Sequence, residues 1–176
     1  AQVIDAFLAD GESQGSETGT SLRMKELNRD ALVESVDLID PNGQRIKTAE
    51  SGRPVRIRVR YDADRVGEPV TVALGLYRAD GTHLASINSG AATGAILDGG
   101  IAEVTYDMGS LPVQPGAYEL SVALHDRTMR KVFERHTHLL RFDVEASGVD
   151  HQNGLVALGG EWSAQKAETQ RKESVQ

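Results

Sequence analysis

The chain has 176 residues, 39% hydrophobic and 26% charged, with 18 glycines, no cysteine and a formal net charge of −7. That length fits one domain or a small domain with tails, and the composition excludes a disordered polyelectrolyte, a disulfide framework, a thiolate nucleophile, a zinc ribbon and an iron–sulfur cluster. No apolar run approaches the roughly 18 residues that span a bilayer, and an acidic chain without a basic cluster is a poor ligand for nucleic acid or for an anionic membrane surface.

Residues 1–10 (AQVIDAFLAD) place Val3, Ile4, Phe7 and Leu8 on one face of a short helix, too short to stand alone. Residues 11–20 (GESQGSETGT) carry no apolar side chain and have linker composition. Residues 1–30 are therefore read as a linker or N-terminal extension. The chain begins at Ala1 rather than Met. A removed leader or a longer upstream protein is expected.

From residue 31 short apolar alternations follow one another between turns. Leu32 to Ile39 runs into Asp40-Pro41-Asn42-Gly43, a strong turn signal. Gln44 to Thr48 reads as a short strand. Val55, Ile57, Val59 and Tyr61 alternate with Arg56, Arg58 and Arg60 in a period of two. Val70 to Tyr77 alternates likewise, and Asp80-Gly81 predicts a hairpin into His83 to Asn88. Ser89 to Gly100 is a loop of small residues. Ala102 to Asp107, Tyr118 to Leu124, His136 to Val144 and Gly154 to Trp162 complete about nine strands. Residues 163–176 form a polar tail. The pattern predicts an all-β fold, an antiparallel β-sandwich over 31–162, with each sheet buried on one face and wet on the other.

Catalytic constellations are missing. The sequence holds no G-x-S-x-G elbow, no phosphate loop and no H-E-x-x-H helix. His136 and His138 form an H-x-H pair, and on a regular strand both imidazoles would face one metal. Metal sites normally need a third or fourth ligand, so the pair reads as two polar residues near a strand end. The arginines of 56–60 could grip an anion, but they read first as a charged face guarding a strand edge. No metal and no cofactor are expected.

The ordered segments D-L-I-D-P-N-G, V-A-L-G-L-Y-R-A-D-G-T-H-L-A-S-I-N-S-G, L-P-V-Q-P-G-A-Y-E-L-S-V-A-L-H-D, L-R-F-D-V and G-L-V-A-L-G-G-E-W carry a resemblance. Together they resemble the C-terminal domain of Wzt, the nucleotide-binding subunit of ABC transporters that export O-antigen polysaccharide. The resemblance implies an immunoglobulin-like or jelly-roll sandwich that binds the finished glycan without catalysis. It also implies a homodimer, an ATPase domain upstream in the same chain, a membrane-spanning transporter subunit as partner, and a place on the cytoplasmic face of the bacterial inner membrane. The alternative is a secreted adhesion-type sandwich.

No site transfers by motif, so the candidates come from strand parity. Where Val72, Leu74, Leu76, Leu120, Val122 and Leu124 point inward, Ala73, Gly75, Tyr77, Ser121, Ala123 and His125 point outward. Small residues with a few polar and aromatic ones suit a sugar chain. Tyr77 is the expected stacking ring, with Arg58, Asn88, Ser121 and His125 as hydrogen-bonding candidates. The C-terminal strand Gly154 to Trp162 lacks polar side chains up to Gly160, as an inserted strand should, from its own chain or from a partner.

Overall fold

The computed structural model describes residues 21–23, 32–90, 100–148 and 154–157. Among them lie nine strands and one helical turn: β1 (Ser21–Arg23), β2 (Val33–Ile39), β3 (Thr48–Glu50), β4 (Val55–Asp62), α1 (Ala63–Val66), β5 (Val70–Arg78), β6 (His83–Asn88), β7 (Ile101–Met108), β8 (Gly116–Asp126) and β9 (Val132–Glu145). They build two sheets, ordered β1-β2-β4-β7 and β3-β9-β8-β5-β6. All pairings are antiparallel except that of β3 with β9, which is parallel. The sequence had indicated antiparallel pairing throughout.

The core lies between the sheets. Strand β4 contributes Val55, Ile57, Val59 and Tyr61. Strands β5 and β8 contribute Val72, Leu74, Leu120, Val122 and Leu124, and β9 contributes Leu140, Phe142 and Val144. Leu76, expected in the core, is only half-buried and packs at its margin. Fully burying one such side chain stabilises by about 1.5–3 kcal/mol, which is what the period-two pattern encodes.

Local polar groups set the turns. The Asp40 carboxylate accepts the N–H groups of Asn42 and Gln44 at 2.9 and 2.8 Å. Asp62 caps α1 by accepting the Arg65 N–H at 3.1 Å, and Gly67 closes it at φ 68°. Asp126 accepts from the backbone of Thr128, Arg130 and Lys131 and from the Thr128 hydroxyl. These bonds hold its carboxyl down at about 2, led by the Thr128 side chain. That turn lets β8 and β9 run longer than the alternation alone suggests.

Other segments stand as follows. The strand expected at 44–48 begins only at Thr48, because Arg45 makes just one isolated bridge, to Ile39. Strand β1 falls inside the segment read as extension, pairing Leu22 with Val36. Of the expected last strand only 154–157 lies within the described residues. There Val156 bridges Val113, and the Ala157 N–H donates to the Pro112 carbonyl at 3.0 Å. Residues 1–20, 158–162 and the tail 163–176 lie outside the described residues. No helix of the described residues is long and apolar enough to cross a membrane.

Candidate functional site

Strands β5 and β8 lie side by side at the centre of the five-stranded sheet, with Leu74 opposite Val122 and Gly75 opposite Ser121. This register places Thr71, Ala73, Gly75 and Tyr77 beside His125, Ala123, Ser121 and Glu119 on the face away from the core. The expected parity is therefore present, but the expected wetness is not. Tyr77 is 8% exposed, His125 4%, Ser121 2% and Ala123 0%. The short side chains of these central strands lie below longer ones on both neighbours, and the Tyr77 ring is flanked by those of His83 and His138.

Those longer neighbours come from β6 and β9. Asn88 on β6 stands opposite Ala73, and Ser86 opposite Gly75; both are exposed. His83 lies across from Tyr77 with its ring centroid 4.9 Å away. On β9, Arg135 stands opposite Ala123. Burial pushes the Tyr77 phenol up, and the nearby Arg135 charge partly opposes that. Burial first, and then Arg135, hold the His125 imidazole below its ordinary value against a smaller pull from Asp126.

The register of β9 breaks between the partners of Leu120 and Val122. At this bulge His138 takes φ 51°. Its N–H donates to Ser121 Oγ at 2.9 Å, and its ring centroid lies 4.9 Å from that of Tyr77. Its Nδ1 lies 2.7 Å from Glu119 Oε2. Tyr77 is thus flanked by two imidazoles, which removes it as a freely stacking ring. The rings that remain open to a ligand are His83 and His138.

His136, by contrast, pairs with the inward-facing Val122. Its Nε2 lies 2.9 Å from Glu134 Oε1. Glu134 Oε2 accepts the N–H groups of Leu32 and Val33 at 2.8 and 2.6 Å, tying the start of β2 to β9. Burial pushes the Glu134 carboxyl up, but His136 and the two N–H groups outweigh it and the net displacement is downward. The H-x-H pair therefore splits across the sheet and offers no shared metal. Among the described residues no group of three or more His, Cys, Asp or Glu could hold one.

Arg58 is not brought to this face. It lies on β4 in the other sheet, where it and Arg45 bracket Asp37, whose side chain is 0% exposed, at 2.9 and 3.1 Å. Arg56 pairs with Asp107 at 2.7 Å. The arginine stripe is thus set between acids on both neighbouring strands, a nonlocal pairing that sequence spacing does not display. Of the five candidate residues, Tyr77, Ser121, His125 and Asn88 share one face, and Arg58 belongs to an ion-pair ladder elsewhere. His83, Glu119 and Arg135 stand on the same face and were not among the candidates. Their signal was parity relative to Tyr77 and Ser121, which β6 and β9 reveal only once paired.

A concavity opens between the edge strands β6 and β7. It comprises adjoining clefts of about 290 and 310 Å³, walled by Ile57, Leu74, Ile87 and Tyr106. Its walls are apolar and suit an apolar occupant better than a hydrated sugar.

The family model described as "Wzt C-terminal domain" matches residues 25–158. Among solved structures, the C-terminal domain of Wzt matches with a TM-score of 0.61 at 14% identity, covering 75% of this chain and 82% of that chain. The soluble domain of PmoD from Methylocystis sp. ATCC 49242 (Rockwell) gives a TM-score of 0.39 at 10% identity, covering 67% of this chain and 100% of that one. No curated protein matches the chain.

Proposed function

We propose that this chain, which belongs to the Wzt C-terminal domain family, is a non-catalytic module that binds O-antigen polysaccharide for export by an ABC transporter. The observation that carries the reading is the outer face of the five-stranded sheet. Its floor is made of small residues, and its exposed rim of hydrogen-bonding groups includes Asn88, Ser86 and His138. A sugar chain offers hydroxyls at every residue and little apolar surface, and such a rim meets it with donors and acceptors. Asn88 makes contact at the rim in this proposal. Tyr77, Ser121 and His125 hold the contacting groups in place from beneath.

The partners in this reading are an ATPase domain in the same chain, a membrane-spanning transporter subunit and a second copy of the chain. The place is the cytoplasmic face of the bacterial inner membrane. A single shallow site gives affinities between about 1 μM and 1 mM, equivalent to about −8 to −4 kcal/mol, and two copies gain by avidity. The test is calorimetric titration with O-polysaccharide released from the lipopolysaccharide of the encoding strain. Saturable binding in that range supports the reading, and absence of binding at millimolar repeat units overturns it.

A further inference from the structure

The geometry points to Glu119 and His138 as the pair that reads sugar hydroxyls on this face, through acceptor atoms on two side chains that a β-bulge brings into contact. The inference rests on the glycan-binding reading and names the class of group recognised.

Three observations converge on the pair. First, His138 Nδ1 lies 2.7 Å from Glu119 Oε2, and the two side chains are 45% and 20% exposed, so the contact is reachable from solvent. Second, His138 adopts φ 51°, a left-handed conformation uncommon outside glycine, in which histidine, asparagine and aspartate are the better-tolerated side chains. Strain of this kind persists only where the surroundings over-determine it. Here the Ser121 hydroxyl takes the His138 N–H, and Tyr77 and Glu119 take the ring. Third, the same bulge sends His136 to the other side of the strand, so the local distortion serves to deliver one imidazole to the outer face.

The chemistry follows from proton bookkeeping. In the tautomer whose Nδ1–H donates to Glu119 Oε2, Nε2 is an acceptor. Glu119 retains unused lone pairs, also acceptors. Two adjacent acceptors match the two O–H donors of a vicinal diol on a pyranose. They mismatch a phosphate or a carboxylate, which brings acceptors of its own.

The test measures binding of the O-polysaccharide of the encoding strain to the wild type, Glu119→Gln and His138→Asn. Asparagine tolerates the left-handed conformation, so the fold is kept, and a wild-type-like amide NMR spectrum verifies this for both variants. Each variant is expected to bind at least tenfold more weakly. Ring ¹⁵N shifts should report the Nδ1–H tautomer of His138 in the wild type, with Nε2 moving on titration. Wild-type binding with neither variant impaired overturns the assignment and leaves the glycan reading standing. Wild type that binds no polysaccharide overturns both. Binding abolished by periodate cleavage of the glycan's vicinal diols supports the pair; binding that depends only on an anionic substituent overturns it.

Discussion

His136 and His138 are two residues apart on one strand yet face opposite sides of it, His136 toward Glu134 and His138 toward Glu119. A regular strand would put them on one face. The left-handed backbone at His138 makes the difference. Both His138→Val and His138→Gly lose the ring contacts, but a β-branched residue tolerates that conformation poorly, so the valine variant is expected to be less stable than the glycine variant by about 1–2 kcal/mol. Urea denaturation of both variants measures this. Equal stability would show that the bulge is not held at residue 138.

Enclosure grades the core. Leu124 is 0% exposed, whereas Leu74 is 5% exposed and lines the open cleft between β6 and β7. Truncation to alanine costs about 2–5 kcal/mol, more where the void cannot collapse or fill with solvent. Leu124→Ala is expected near the top of that range and Leu74→Ala near the bottom, read from denaturation midpoints at constant slope. The reverse order would contradict the placement of the cleft.

The strand parity of β4, β5 and β8 was legible in the residues because Val, Leu and Ile recur every second position there. What the alternation could not tell was depth. Ala73, Ser121 and Ala123 look like a wet face in sequence and are buried in the fold, since burial of a small side chain depends on the height of its neighbours. Nor does sequence disclose a bulge, which shifts parity without changing composition. Arg58, expected beside Tyr77, lies on the other sheet, and its partner Asp37 is brought to it only by the pairing of β2 with β4.

The Asp37 ladder yields a separable effect. Arg58→Ala removes a charged hydrogen bond to a buried carboxylate that keeps Arg45 as its other partner. The expected loss is about 1.5–3 kcal/mol of stability, with polysaccharide affinity unchanged. Loss of affinity in the folded variant would move the site to the other sheet.

Acidification acts with the same sign at the His125 imidazole and at depressed carboxylates, Glu134 and Asp126 among them. The His125 imidazole titrates below its ordinary 6.5 in the folded chain, so the unfolded chain binds the extra proton first. Its contribution is complete above pH 6.5 and falls as pH drops through 6.5 toward the native value. Glu134 is depressed below 4.5, so its contribution is present above that pH and is lost as pH falls through its lower native value. Stability should therefore decline in two stages on acidification. Replacing His125 with Gln should flatten the first stage alone, as read from denaturation midpoints across pH 8 to 3. A first stage that survives in His125→Gln would assign it to another group.

The most direct measurement for the glycan reading is amide chemical-shift mapping of the full chain titrated with O-polysaccharide from the encoding strain. The account predicts saturable shifts at His83, Ser86, Asn88, Glu119 and His138, on β6, β8 and β9, with Arg56, Arg58 and Arg60 on β4 unmoved. Saturable shifts centred on the β4 arginines, or none at all at millimolar repeat units, would contradict it.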